Sequence, residues 1–196
     1  MEKLSRDSRR GSCNENLPRK SLEDDAVNDP MATGDPHITL RFATADDVGL
    51  ILDFVRQLAD SENLSHELLA EEDTLRQTLF DERRVAEVVI AEYEGEPAGF
   101  ALFVHNFSTL LGRPGIRLED LFVISDFRGR GIGRILLSFL AKLAVQRGCG
   151  RLEWSLLDRN QPAIRFFERL GAQAIDEWTV YRVTGNALEE LAKGRG

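Results

Sequence analysis

Apolar and polar side chains alternate along "HITLRFA", residues 37–43, with the period of a half-buried strand. Thr44 then reads as a helix N-cap, followed by acids and by Val48, Ile51, Leu52, Val55 and Leu58 at helical spacing. A second helical region is expected over residues 66–80. The runs "VAEVVIAEY" and "PAGFALFVHNF", joined by "EGE", predict a hairpin. "IRLEDLFVIS" predicts the next strand, and "GIGRILLSFLAKLAVQRG" a helix closed by Gly148. "CGRLEWSLL" follows as a strand, then "QPAIRFFERLG" as a helix with Pro162 in its first turn and Gly171 at its end. "EWTVYRV" predicts a last strand and "NALEELAKG" a short terminal helix. The order β-α-α-β-β-β-α-β-α-β implies a mixed α/β sheet flanked by helices.

The first 36 residues carry no aromatic side chain and are rich in Ser, Asn, Asp, Arg and Lys. Such a segment buries too little apolar surface to offset its ordering entropy. A disordered extension over 1–36 and one folded domain over 37–196 are therefore expected. Met31 stands just before the first fold signals and is a candidate start residue.

The remaining composition narrows the function classes. Hydrophobic content of 42% and charged content of 30% are ordinary for a globular protein. A formal charge of −8 argues against non-specific nucleic-acid binding, which relies on a basic surface. No run approaches the roughly 18 apolar residues needed for a membrane helix. Cys13 and Cys149 sit in unlike contexts without metal or redox spacing, so reduced thiols in a cytoplasmic protein are expected.

The chemistry concentrates in "LEDLFVISDFRGRGIG", residues 118–133. Gly129, Gly131 and Gly133 permit positive φ and remove Cβ atoms, so successive N–H groups can converge at the start of the following helix. That makes an anion site, suited to phosphate, with Arg128, Arg130 and Arg134 around it. Gly-Lys-Ser/Thr is missing, which excludes a P-loop, and Arg134 occupies the third-glycine position of a dinucleotide fingerprint.

Arg128-Gly-Arg-Gly131-Ile-Gly133, between a strand and an amphipathic helix, resembles the acetyl-CoA pyrophosphate loop of the GNAT N-acetyltransferases. "NQPAIRFFERLGA", residues 160–172, is similar to that superfamily's second signature. "LEDLFVISDFRGRGIG", "NFSTLLGRPGIRLEDL" and Glu177-Trp178 resemble the spermidine/spermine (diamine) N-acetyltransferase branch, bacterial type, over residues 38 to about 185.

The resemblance implies a GNAT fold with a splayed strand pair and acetyl-CoA as co-substrate. It assigns the pantetheine arm to the backbone of Leu121, Phe122 and Val123. The pyrophosphate falls to Arg128, Gly129, Arg130, Gly131, Ile132, Gly133 and Arg134. Asn160, Gln161, Pro162, Ala163 and Phe166 follow further along the cofactor. Glu119 matches the family's general base, acting through water on the substrate ammonium. Substrate contacts fall on Ser61, Glu62, Asp120, Glu153, Trp154, Ser155, Asp176 and Trp178, an acid-and-aromatic lining that suits an aliphatic cation. For the two tryptophans, ordinary packing is the competing reading. No metal is implied; a homodimer is, and the partner is a small amine rather than nucleic acid or membrane.

Two departures qualify this. Phe167 stands where the family's general acid is Tyr, so the hydroxyl that would protonate the leaving thiolate is absent; Tyr181 is a candidate substitute if its strand faces the site. Arg117 stands where many members carry Tyr. Two residues from Glu119, it shares a strand face with it and favours an amine bearing a carboxylate over a polyamine. Glu119 and Asp120, being adjacent, face opposite sides of the sheet unless a bulge intervenes. The expected function is transfer of acetyl to a polyamine, diamine or amino-acid-like amine by direct attack. A catalytically weak acyl-CoA-binding module and a protein or peptide amine acetyltransferase stand as alternatives.

Overall fold

The structure is a computed structural model that describes residues 30–175 and 179–194. The chain divides into two compact units, one ending at Trp154 and one beginning at Ser155. The first unit is built on strands β1 (Met31–Ala32), β2 (Ile38–Phe42), β3 (Glu87–Tyr93), β4 (Glu96–Ser108), β5 (Arg113–Val123) and β6 (Leu152–Trp154). They form one sheet in sequence order. Neighbours pair antiparallel from β1 to β5, and β6 joins β5 in parallel. A parallel step requires a crossover, which α3 (Ile132–Gln146) supplies. Helices α1 (Val48–Glu62) and α2 (Glu72–Phe80) lie between β2 and β3 in the chain.

One face of the sheet packs on α1 and α2. Phe54 of α1 stacks on Phe100 at 5.3 Å and meets Phe122 at 6.1 Å. Ile51, Leu79, Val88 and Ile90 complete this layer. Fully burying such side chains contributes roughly 1.5–3 kcal/mol each. The other face takes α3, whose Phe139 meets Phe42 edge-on at 5.8 Å, with Leu136 and Leu140 buried.

The "EGE" hairpin forms as a two-residue turn, with Tyr93 opposite Glu96 and positive φ at Glu94 and Gly95. That is the twist a short hairpin needs. Helix α3 ends as expected at Gly148, where φ is +68°. The N–H of Gly148 donates to Val145 and that of Cys149 to Ala144, which satisfies the last carbonyls of the helix.

Four expectations change. Paired structure begins at Met31 rather than His37, because Met31 and Ala32 register on Leu40 and Thr39. The helical region over 66–80 divides into a 3-10 turn at Ser65–Glu67 and α2. The strand expected over 149–157 narrows to Leu152–Trp154, since pairing with β5 stops at Leu118. Among the described residues of "EWTVYRV", 179–183 form no strand, and Val180 and Tyr181 are 80% and 89% exposed. Alternating apolar residues make a strand only where a sheet edge receives them. In the second unit, α4 (Gln161–Glu168) and α5 (Gly185–Ala192) form where helices were expected.

Candidate active site

Strand β5 changes character in its middle. Ile116, Arg117 and Leu118 pair with Leu152, Glu153 and Trp154 of β6, and the pairing ends there. Among the described residues, the β5 edge that faced β6 has no ladder partner from Glu119 to Val123. On its other side β5 continues along β4, but the register slips between Leu102 and Phe103. Phe103 pairs with Leu118 and Leu102 with Asp120, which leaves Glu119 as the extra residue of a bulge.

The bulge reverses the expected facing. Asp120 lies opposite Leu102, and Phe122 opposite Phe100, on the face that packs against α1. Leu118 pairs with Phe103 on the α3 face. Adjacent acids therefore do not simply point to opposite sides, and Glu119 projects from the irregularity. It is exposed, and its Oε1 accepts a hydrogen bond from Arg117 Nε at 2.8 Å. Asp120 is partly buried. Burial first, then the charges of Glu119 and of Glu62 at the end of α1, push its carboxyl up to about 6. Glu62, Glu119 and Asp120 thus share one electrostatic neighbourhood.

Close packing holds the end of β5. A Cβ on Gly99 of β4 would lie 2.4 Å from the Phe122 carbonyl oxygen, so only glycine lets the two strands approach there. The Val123 carbonyl accepts from Arg128 Nε at 3.0 Å, and the Arg128 guanidinium lies 5.8 Å from the Phe122 ring. Chain then passes through a 3-10 turn at Ser125–Phe127 into the glycine turn. Gly129 and Gly131 have φ of +79° and +83°, and Gly131 caps α3. Gly133 lies inside the helix, so its part in the turn is its missing side chain rather than positive φ. The first-turn N–H groups of an α-helix have no partner within it and carry the positive end of its dipole. The turn thus presents backbone N–H groups at the positive end of α3.

The Arg130 guanidinium sits 4.7 Å from the Tyr93 ring and 5.8 Å from Phe127. Tyr93 escaped the sequence reading because no spacing links it to the turn, whereas Phe127 immediately precedes Arg128 in the quoted motif. Of the expected substrate residues, Ser61 is exposed at the end of α1 and its hydroxyl donates to Leu58. Glu153 accepts from Asn106 Nδ2 at 2.6 Å and pairs with Arg151 at 3.1 Å. Trp154 is half-buried and opposite Leu118. Asp176 and Trp178 lie outside the described residues.

In the second unit, Asn160 caps α4 and its Oδ1 accepts from the Ala163 N–H at 3.3 Å. Gln161 and Pro162 are exposed at the helix start, and Ser155 is exposed ahead of it. Phe166 and Phe167 meet edge-on at 5.0 Å, with Phe167 buried. Tyr181 stands on no strand, which removes the condition under which it was expected to substitute for the missing hydroxyl.

A six-stranded mixed sheet flanked by helices, with a glycine turn opening the crossover helix after β5, is the fold of a GNAT-type acetyltransferase. The chain belongs to the acetyltransferase (GNAT) family, whose model matches residues 52–172. GNAT acetyltransferases use acetyl-CoA as co-substrate. The chain is 31% identical to an L-ornithine N5-acetyltransferase of Arabidopsis thaliana, covering 90% of this chain and 97% of that one. It is 35% identical to a thialysine N-epsilon-acetyltransferase of Mus musculus, over 78% and 96% of the two chains. Among solved structures, an integron cassette protein from the mobile metagenome of V. cholerae superposes with a TM-score of 0.68 at 29% identity, over 81% and 99% of the chains. No helix among the described residues is long and apolar enough to cross a membrane.

Proposed function

We propose that the protein acetylates a primary amine of a small molecule, an amino-acid-like amine, diamine or polyamine, by direct attack in a ternary complex with acetyl-CoA. The observation that carries this is the sequence of features along β5: carboxylates at 119 and 120, an edge at 121–123 with no ladder partner among the described residues, and then the glycine turn. Backbone N–H groups of Leu121 and Val123, which point away from β4, suit the amide-bearing pantetheine arm, and Phe122 between them anchors the strand to β4. The turn from Arg128 to Arg134 suits the pyrophosphate. Asn160, Gln161, Pro162, Ala163 and Phe166 belong to the cofactor on the resemblance of their motif.

A protonated amine has no lone pair and cannot attack a thioester. Glu62, Glu119 and Asp120 attract the ammonium and accept its proton, directly or through water. The freed nitrogen then attacks the carbonyl carbon, the C–S bond breaks, and the thiolate leaves carrying the second amine proton. A thiol with a pKa near 8.5 is a tolerable leaving group at neutral pH, which fits a site with Phe167 in place of Tyr.

Arg117 favours an acceptor that carries a carboxylate as well as an amine, and the relatives named for ornithine and thialysine support that preference. Exposed Val180, Tyr181 and Val183 suit the homodimer implied by the diamine branch. The unlike contexts of the two cysteines suit a cytoplasmic protein. The test is CoA release from acetyl-CoA over a panel of ornithine, lysine, thialysine, putrescine and spermidine. Tight acetyl-CoA binding without release on any amine would leave an acyl-CoA-binding module instead.

A further inference from the structure

The turn that opens α3 is fastened to the β3–β4 hairpin by aromatic rings. The Arg130 guanidinium sits 4.7 Å from the centre of the Tyr93 ring and 5.8 Å from that of Phe127. The two rings meet at 5.7 Å, tilted by 43°. Each is fixed by its own part of the chain. Tyr93 closes β3, pairs with Ile38 and Glu96, and stacks on His37 at 5.9 Å. Phe127 ends the 3-10 turn, where its N–H donates to Ile124, whose own N–H donates to Ala98 of β4.

Acids stand close by in sequence but are directed elsewhere. The Glu94 carboxylate lies 2.9 Å from His37 Nδ1, and that of Asp126 accepts from the Ser125 hydroxyl. Among the described residues, no carboxylate pairs with Arg130, which is exposed. A carboxylate would hold the guanidinium equally well, yet it would cancel the charge and occupy N–H donors. A ring face does neither. Arg130 is thus held in place with its charge and donors uncommitted, just before α3 begins at Ile132.

We propose that Tyr93, with Phe127 beside it, is a positioning residue for acetyl-CoA. The aromatic pair presets Arg130 as a cationic contact for the cofactor's phosphates, which makes the β3–β4 hairpin part of the cofactor site. This rests on the acetyl-CoA reading of the glycine turn. Presetting matters because an exposed arginine otherwise gives up rotamer freedom when it meets its ligand.

The experiment is calorimetric binding of acetyl-CoA to the full chain at low and high salt, with a melting curve for each variant. The variants are Tyr93→Leu, Tyr93→Phe, Arg130→Met and the double variant Tyr93→Leu/Arg130→Met. We expect Arg130→Met to weaken binding about tenfold, as for one charge-assisted bond, and to flatten its decline with salt. Tyr93→Leu should weaken it about two- to fivefold, the worth of an exposed cation–π contact. Tyr93→Phe should bind as wild type does, because the ring face and not the hydroxyl meets the guanidinium. In the Arg130→Met background, Tyr93→Leu should cause no further loss. In turnover, both single losses should appear in KM for acetyl-CoA with kcat kept.

Equal losses from Tyr93→Leu in the two backgrounds would overturn the proposal, since Tyr93 would then act through the fold alone. Unchanged binding by Tyr93→Leu would overturn it too. Arg130→Lys supplies a check that leaves the hairpin intact: it keeps the charge but not the planar stack, so it should lose affinity. Binding by Arg130→Lys at wild-type strength refutes the role of the rings. Failure of wild type to bind acetyl-CoA removes the cofactor reading itself.

Discussion

Arg117 donates its Nε hydrogen to Glu119 across one intervening residue, at 2.8 Å, where β5 leaves β6. The guanidinium thus stands beside the carboxylates that would receive an ammonium, and it changes the kind of cation they suit. A polyamine brings further positive charge toward Arg117. An amino acid brings a carboxylate that the guanidinium can meet in a bidentate fork.

Arg117→Leu is therefore expected to move preference from amino acids toward polyamines. The ratio of kcat/KM for lysine over spermidine should fall about tenfold or more, the worth of one charge-assisted bond. Thermal stability should hardly change, because a half-exposed pair contributes about 0–1 kcal/mol. Initial rates on both amines, with a melting curve, decide it; an unchanged ratio would retire Arg117 as a selector.

Gly131→Ala tests the glycine turn. Its φ of +83° strains any side chain, by roughly 1–2 kcal/mol. Gly148→Ala imposes a similar strain at the opposite end of α3, where φ is +68°. Both variants should lose stability. Only Gly131→Ala should weaken acetyl-CoA binding, by about tenfold for a distortion of roughly 1.4 kcal/mol. Equal binding by the two variants would remove the turn from the cofactor site.

Asp120 also makes a stability prediction. Its carboxyl titrates near 6 in the fold against 3.8 unfolded, so between those values the folded state binds more protons. Stability attributable to this group is therefore present at acid pH and falls as pH rises from about 4 to about 6. Asp120→Asn should be more stable than wild type at pH 8, by at most about 3 kcal/mol at 1.36 kcal/mol per unit. That advantage should vanish below about pH 4. Urea unfolding at pH 4 and pH 8 measures it, and a variant that is less stable at pH 8 contradicts the buried acidic neighbourhood.

Phe167→Tyr restores the hydroxyl of the family's signature at a residue that is 6% exposed. If the hydroxyl reaches a departing thiolate, kcat should rise toward the low end of a positioned acid's contribution, about 10²-fold. If it meets only apolar neighbours, stability should drop by about 1–3 kcal/mol without a gain in rate. Single-turnover kinetics and denaturant melts separate the two, and an unchanged rate would mean that the thiolate needs no side-chain acid.

What the chain discloses from its residues alone follows the range of the forces involved. The "EGE" hairpin and the Gly148 stop are local, set by φ values and backbone bonds within a few residues, and each forms as read. The glycine turn belongs to this group, and so does the strand that feeds it. The extent of β6 is a different matter, since it depends on how far β5 stays beside it. The apolar alternation of "EWTVYRV" likewise carries no information about which edge would accept it. Facing at Glu119 and Asp120 was hardest. It depends on a register slip against Leu102 and Phe103, fifteen residues back along the chain for the nearer pair, Phe103 and Leu118, which no pattern within β5 records. Arg130's stacking on Tyr93 is hidden for the same reason.

The bulge gives Glu119 an unusual freedom. Leu118 already has Phe103 as its partner and Asp120 has Leu102, so the β4–β5 ladder does not count residue 119. A chain lacking it would keep each of those partnerships, and no side chain on either face would turn over. The sheet is in that sense indifferent to the residue that carries this exposed acid. Function at this position can be gained, lost or retuned without the architecture registering the change.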